Sequence, residues 1–127
     1  AASSRDIGII SRRIWCMSDR DSILLILDML ESAERILQYT ESMSYYDFIH
    51  DPRTFDAVIR NFEIIGEAAN QLPESIRNDT AQIPWNEIRG FRNKIVHNYF
   101  GIDPVIVWTI ISDFLPDLIS QLKVLLP

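Results

Sequence analysis

The segment from residue 92 to residue 99 collects the side chains of this chain that are best suited to chemistry. Arg92, His97 and Tyr99 follow one another in the spacing Arg-x4-His-x-Tyr, with Asn93 and Asn98 between them. Histidine titrates near neutral pH and can give or take a proton. Arginine keeps its charge and binds phosphate oxygens as a planar fork. The segment could therefore bind a phosphate group and transfer a proton beside it.

A structural role for the same residues is the main alternative. Arg92, Asn93 and His97 could form a buried polar network that fixes the register of a helix. The neighbouring Arg89 and Lys94 are expected to be solvated or to steer phosphate rather than to act as catalytic groups. Burial of the three side chains is therefore the observation that would favour the structural role.

Other polar residues are less suited to chemistry. Glu63 and Glu67 stand four positions apart and could suggest a metal pair, but no Glu-x-x-His motif accompanies them, which disfavours a di-iron bundle. His50 has no cysteine, histidine or paired carboxylate at ligand spacing, so we expect it at the surface or in a loop. No metal site is predicted.

Helix geometry separates the residues of the candidate site. At about 100° per residue, Arg92 and His97 are roughly 140° apart around the axis, Asn93 and His97 about 40°, and Arg92 and Tyr99 about 20°. One straight helix cannot aim Arg92 and His97 at a single phosphate. Either the helix loosens near its end, or a second copy of the chain supplies the partner group.

The elements that carry these residues are all predicted to be helices. Apolar residues recur at three- and four-residue spacing along four long stretches, and no strand-like alternation is present. The sequence predicts an all-α fold, an antiparallel four-helix bundle with a short extra helical segment near residues 44–49. Asp51-Pro52 and Asp103-Pro104 are predicted to open the second and fourth long helices.

Three residues are expected to shape these helices. Gly66 lies inside the second helix, where it would allow a close approach of another helix. The third helix is expected to run to about Tyr99 and to end at Gly101 in a left-handed conformation. Pro116 is expected to kink the last helix rather than end it, because the apolar spacing resumes beyond it.

Composition narrows the class of protein. The 127 residues carry a formal net charge of −6, with 47% hydrophobic and 24% charged residues, which fits one globular domain. The acidic excess lies beyond residue 20, so the body is not a general nucleic-acid binder.

The lone Cys16 excludes a disulfide framework and a clustered-thiolate zinc site, which favours a reducing, cytoplasmic compartment. No apolar run approaches the roughly 20 residues of a membrane span.

The first residues differ from the rest of the chain. Residues 1–16 have no clean helical period and precede Met17. We expect residues 1–16 to be an upstream or artificially added extension, with a docking arm as the alternative. Residues 17–127 are expected to form the folded domain.

The segment Arg92–Tyr99 resembles the signature of the HEPN superfamily, and specifically of HepT-like toxins from prokaryotic toxin–antitoxin pairs. Three further segments resemble the family pattern: Val58–Ala69, which contains its Ile-Gly-Glu-Ala box; Pro84-Trp85; and Tyr99–Asp103. Roughly residues 20 to 126 are covered. The resemblance implies a HEPN-like helical bundle.

The resemblance also implies an activity. HepT-like toxins are ribonucleases that work without a metal or cofactor, and Arg92 and His97 would be the catalytic residues, supported by Asn93 and Asn98. Such an enzyme must deprotonate a ribose 2′-hydroxyl, protonate the leaving oxygen and stabilise a more negative phosphorane. A position near the C-terminus of a helix favours the protonated ring of His97, which suits an acid better than a base.

Two partners follow from the same resemblance. HEPN proteins typically form homodimers whose motifs face one shared cleft, so a homodimer is predicted. In HepT-like toxins the motif tyrosine can be adenylylated by a cognate minimal nucleotidyltransferase that acts as the antitoxin, and Tyr99 would be its target. A bulky anionic nucleotide there would occupy the phosphate site and neutralise its positive field.

Two other functions stay open. The chain could be a non-catalytic helical binding subunit of a nucleotidyltransferase complex, which the acidic body favours and the complete Arg-x4-His-x-Tyr set disfavours. A purely structural helical oligomer would leave the polar cluster unexplained.

Overall fold

The computed structural model describes residues 20–127, and every regular element within that range is helical. The prediction of an all-α fold is confirmed. The α-helices are α1 Arg20–Thr40, α2 Tyr45–Ile49, α3 Pro52–Gln71, α4 Glu74–Asp79, α5 Trp85–His97, α6 Pro104–Thr109 and α7 Leu115–Leu125. A 3₁₀ turn follows α5 at Tyr99–Gly101, and a π-helical segment joins α6 to α7 at Ile110–Phe114. The predicted extension 1–16 and Met17 lie outside the described residues.

Side-chain caps set the starts of α2 and α3. Ser44 and Asp47 form a capping box at α2, each side chain accepting the other's backbone N–H. At α3 the Asp51 carboxylate accepts bonds from the hydroxyl and the backbone N–H of Thr54, at 2.8 and 3.2 Å. These bonds hold the pKa of Asp51 below its usual value. Pro52 follows in the first turn. The prediction that Asp51 caps this helix and that Pro52 occupies its first turn is therefore confirmed.

Helix α3 is the central element of the core. It packs against α1 on one side and α5 on another, and α1 also packs against α7. Helices α3 and α5 are antiparallel, because Gly66 meets Arg92 while Asn70, further along α3, meets Arg89, which comes earlier in α5. The fully buried core comes from all the long helices, including Ile26, Met29, Ile36, Ile59, Ile65, Leu115 and Leu122.

The last helix continues through its proline. Asp103 caps α6 by accepting the backbone N–H of Val105 at 2.9 Å, and Pro104 occupies the first turn, as predicted. The π-helical turn Ile110–Phe114 comes just before Pro116, which lies in the first turn of α7. A missing backbone N–H costs little at such a position, so the helix passes Pro116 without ending.

The expectation that no apolar run approaches the length of a membrane span is wrong for the combined helix Pro104–Leu125, which by length and composition could cross a membrane. It has 22 residues and a mean hydropathy of 1.4 over its most apolar window, of which 33% is buried. The buried part includes Val107, Ile111 and Leu122, which belong to the same core as α1 and α3. A core helix of a folded domain meets the same two criteria, so this helix is weak evidence of a membrane span.

Two expectations about the end of α5 are wrong. The helix stops at His97 rather than near Tyr99, because the backbone of Asn98 leaves helical geometry at φ −151° and ψ 58°. Gly101 is not left-handed. Its lack of a side chain matters for another reason, since a Cβ at residue 101 would lie 2.2 Å from Nδ2 of Asn98. The wheel angle of about 20° between Arg92 and Tyr99 therefore does not apply, because it assumes one continuous helix.

Candidate functional site

Gly66 brings α3 and α5 together at Arg92. A Cβ on residue 66 would lie 2.2 Å from Cβ and 2.7 Å from Cγ of Arg92, distances that real Cβ atoms do not adopt. The α3 backbone thus forms the surface on which the arginine stem lies. The predicted close helix approach at Gly66 is confirmed, and its partner is the first residue of the candidate motif.

The guanidinium of Arg92 is held by two oxygens. Nη2 donates to Oε1 of Glu67 at 3.2 Å, and Nη1 donates to Oδ1 of Asn93 at 3.2 Å. The side chain is 26% exposed, and the buried Nε has no hydrogen-bond partner among the described residues. Asn93 therefore supports Arg92 directly. The contact with Glu67 was not predicted from the sequence, although Glu67 belongs to the Ile-Gly-Glu-Ala box.

His97 occupies a different position from Arg92. It is the last residue of α5 and is exposed, while Arg92 is half-buried against α3. Asn93 is exposed as well. The alternative of a buried polar network is therefore wrong for Asn93 and His97. Within one chain the site is divided between a half-buried cation and an exposed imidazole, in line with their predicted separation around the helix.

Tyr99 turns back toward α3. Its hydroxyl donates a hydrogen bond to Oδ1 of Asp56, a residue 43 positions earlier in the chain. That bond, together with partial burial and the negative charge of Asp56, raises the pKa of Tyr99 to about 12. The phenol is therefore neutral at physiological pH. Sequence reasoning missed Asp56, since neither its spacing nor its neighbours mark it as part of the motif.

The turn after α5 is what aims Tyr99. The backbone N–H of Asn98 donates to the carbonyl oxygen of Lys94 at 2.9 Å, and that of Gly101 donates to the carbonyl of Asn98 at 3.1 Å. The Asn98 side chain fills the space beside Gly101. Asn98 thus ends the helix and supports the turn. Phe100 is 98% exposed and meets the Tyr99 ring edge-on at 5.4 Å between centroids.

The opposite end of α5 is anchored by Trp85. Its indole Nε1–H donates to the carbonyl oxygen and to the hydroxyl of Thr80, at 3.1 and 3.0 Å, inside the core. Arg89, one turn later, donates from Nε to Oδ1 of Asn70 at 2.6 Å. These bonds fix the start of the helix whose other half carries Arg92 and His97.

The acidic side chains beside the site are divided among different partners. Glu63 pairs with Arg60 at 2.8 Å, and Glu67 pairs with Arg92. In the part of the chain that the structure describes, no three histidine, cysteine, aspartate or glutamate side chains gather as a metal site would require. Glu63 and Glu67, which stand four positions apart on α3, thus each bond a different arginine.

A family model described as Ribonuclease HepT-like matches residues 29–125, a span that includes α3, α5 and the motif. The chain belongs to the HepT-like ribonuclease family. The match covers Gly66, Arg92, His97 and Tyr99 together with the helices that position them. The polar cluster of this HepT-like chain thus lies inside the span that the family model matches.

Relatives of this HepT-like chain cover most of its length. A candidate RNase of Methanocaldococcus jannaschii is 36% identical over 108 residues, covering 85% of this chain and 99% of the relative. A candidate RNase of Caldanaerobacter subterraneus is 38% identical over 98 residues, covering 77% and 88%. A probable ribonuclease HepT of Thermococcus cleftensis is 37% identical over 91 residues, covering 72% and 83%. No solved structure matches the chain.

Proposed function

We propose that this chain is the toxin of a prokaryotic HEPN/MNT toxin–antitoxin pair and that it is a metal-independent ribonuclease. The observation that carries the proposal is Arg92, a cation held half-buried by Gly66 and Glu67, on the same helix as the exposed His97. Family membership and the RNase names of the relatives support the same activity.

Arg92 binds the scissile phosphate in this proposal. Its charge is permanent, and its fork geometry matches two phosphate oxygens. Glu67 and Asn93 restrict the side chain before substrate binds, which lowers the entropy that binding must remove. The negative charge that develops on the phosphorane is then met by a cation already in place.

His97 transfers the proton in this proposal. The exposed ring lies at the C-terminal end of α5, and in this proposal it acts as the acid that protonates the leaving 5′-oxygen. The 2′-hydroxyl loses its proton to water as its oxygen bonds to phosphorus, the bond from phosphorus to the 5′-oxygen breaks, and a 2′,3′-cyclic phosphate is left on one product. Because His97 is exposed, RNA can reach it without any rearrangement of the core.

The working enzyme in this proposal is a homodimer. Arg92 and His97 lie on different sides of α5, so one chain does not aim both at one phosphate. A two-fold related copy would place its own His97 opposite the first copy's Arg92, and each dimer would hold two equivalent sites. The exposed Val96 and Phe100 near the end of α5 are apolar surface that a second copy could cover.

Tyr99 is the residue through which the antitoxin acts in this proposal. A nucleotidyltransferase partner transfers AMP to its hydroxyl, in the turn directly after His97. The added phosphodiester is anionic, so it competes with RNA phosphate for the local positive field.

A second candidate function is a non-catalytic binding subunit of a nucleotidyltransferase complex. The net charge of −6 favours it, because most of the surface repels RNA. Under this alternative the motif would present Tyr99 to the partner, and Arg92 would serve only the packing of α5 on α3.

Cleavage of end-labelled tRNA and total RNA in EDTA tests the proposal. Intact mass first confirms that Tyr99 is unmodified. His97→Ala should lower the rate by about 10²–10⁴-fold, the usual contribution of a proton-transfer group. His50→Ala is the matched control, since His50 is exposed directly after α2, where its side chain bonds the Tyr46 carbonyl oxygen at 2.8 Å and its ring stacks on Tyr46. Equal cleavage by wild type and His97→Ala contradicts the assigned site, and no cleavage by unmodified wild type supports the binding subunit.

A further inference from the structure

The Tyr99 hydroxyl is bonded to a carboxylate that the proposed activities leave without a role. Asp56 lies in the first half of α3 and accepts the phenolic proton in a hydrogen bond across the two helices. It takes no part in holding Arg92, which is bonded to Glu67 and Asn93. The contact is specific to the one atom of Tyr99 that modification would alter.

We propose that Asp56 is the general base for adenylylation of Tyr99. This inference rests on the proposed function. As the Tyr99 oxygen attacks the α-phosphorus of ATP held by the partner, an oxygen–phosphorus bond forms and the bond to the β-phosphate bridging oxygen breaks. Pyrophosphate leaves, and the phenolic proton passes to the carboxylate of Asp56. The products are AMP-tyrosine, pyrophosphate and a protonated Asp56.

The chemistry of the phenol explains why a base is needed. A tyrosine oxygen is a good nucleophile only as its proton leaves. The pKa of Tyr99 is raised to about 12, so at pH 7 only about one molecule in 10⁵ carries the phenoxide. An aspartate that takes the proton during bond formation removes this limit, as the catalytic-loop aspartate does for the substrate hydroxyl in protein kinases.

The surroundings of the pair support a catalytic role over a purely structural one. Asp56 is exposed, so the carboxylate can release the proton to water after each transfer. Tyr99 is only partly buried, so the residue is not closed off from a partner at the surface. The 3₁₀ turn, fixed by the Asn98–Gly101 contact, holds the hydroxyl on the carboxylate before the partner arrives.

The test measures the rate of AMP addition by intact mass, with purified wild-type or variant chain, the cognate minimal nucleotidyltransferase, ATP and Mg²⁺. Asp56→Asn keeps an acceptor oxygen and the size of the side chain but cannot take a proton. We expect its rate to fall by about 10²-fold or more, the lower end of the range for a lost proton-transfer group. Asp28→Asn, which removes an exposed aspartate on α1, is the matched control and should react as wild type does.

A second measurement separates a base from a group that only positions Tyr99. Replacing Tyr99 by a difluorotyrosine, whose phenol is a stronger acid, should restore the rate of Asp56→Asn to within a few-fold of wild type. A positioning role predicts no such rescue. Binding of Asp56→Asn to the nucleotidyltransferase, measured by biolayer interferometry, should match wild type.

The outcomes distinguish the two proposals. Modification of wild type and Asp56→Asn at equal rates overturns the role of Asp56 and leaves adenylylation of Tyr99 standing. Absence of rescue by difluorotyrosine also overturns the role of a base. Absence of any mass increase in wild type overturns the adenylylation itself, and the assignment of Asp56 with it.

Discussion

The α-carbon of Gly66 faces the stem of Arg92 so closely that a methyl group between them would lie 2.2 Å from the arginine Cβ. The backbone of one helix thereby shapes the position of the cation on the other. Glu67, the next residue of α3, holds the guanidinium of the same side chain. Two consecutive residues of the Ile-Gly-Glu-Ala box thus serve one arginine, the first by its small size and the second by its charge.

Replacing this glycine should separate the helices. Gly66→Ala gains about 1 kcal/mol of helix propensity but overpacks the contact with Arg92, which typically costs about 1–3 kcal/mol. We expect a net loss of stability in urea unfolding and a loss of RNA cleavage. Gly90→Ala on α5 is the control, because a Cβ there meets nothing within 4 Å. It should stabilise the chain and leave cleavage intact. If both variants gain stability alike, the contact does not constrain α5.

A site shared between two chains can be tested by mixing defective copies. Arg92→Ala and His97→Ala homodimers should both be inactive. A heterodimer of the two, isolated with two affinity tags, should recover about half of the wild-type rate, because one of its two symmetric sites is then complete. No recovery in a stable heterodimer would mean that each site is built within one chain.

Glu67 holds the Arg92 guanidinium in place but also competes with RNA for it, and we expect the competition to have the larger effect on RNA affinity. In the inactive His97→Ala background, Glu67→Gln should tighten binding of a single-stranded RNA by about two- to fivefold, the size of a surface ion-pair energy. The effect should shrink as salt is raised. Glu63→Gln is the control one turn earlier on α3, since Glu63 pairs with Arg60 instead. Equal tightening by both variants would indicate general charge removal.

The phenol of Tyr99 should titrate at a higher pH than an ordinary tyrosine does. Its pKa is raised to about 12, from about 10 in an unfolded chain. Its bond to Asp56 therefore stabilises the fold fully below about pH 10, and that contribution is lost as the pH rises through about 12. The difference in unfolding free energy between wild type and Tyr99→Phe should vanish over this interval. The ultraviolet titration curves of wild type and Tyr99→Phe should differ by one phenol near pH 12, and a difference near pH 10 would contradict the contact.

Local signals in the sequence predicted the helices well. The three- and four-residue spacing of apolar residues predicted the long helices. Asp51-Pro52 and Asp103-Pro104 predicted where two of the helices begin, because a capping side chain and a proline act within one helical turn. Gly66 was also predicted from the sequence as a point of close helix approach. A glycine inside a helix lowers helix stability, and close packing of a neighbouring helix is a common reason for its presence.

The direction of Tyr99 could not be predicted in this way. It depends on the helix ending at Asn98 and on the antiparallel register that brings Asp56 opposite the turn. Both are tertiary features, and the contact joins residues 43 positions apart. Gly101 was misjudged for a related reason. The Asn98 side chain occupies the volume in which a Cβ on residue 101 would lie, so a glycine is needed there. The backbone dihedral preference of glycine does not predict such a contact.

Helix α5 is attached to the rest of the chain mainly through α3. An apolar groove of about 400 Å³, lined by Phe62, Ile88, Phe91 and Phe114 among others, separates it from the last helix. A helix with one main neighbour can swing out while the remaining helices stay folded, so its amide protons should exchange with solvent sooner than those of α1 and α3. The proposed catalytic residues Arg92 and His97 would then lie on a helix that is more dynamic than α1 and α3. A molecule that binds α5 and holds it against α3 would reduce this local opening. It would thereby change the activity of the protein without contacting Arg92, His97 or Tyr99.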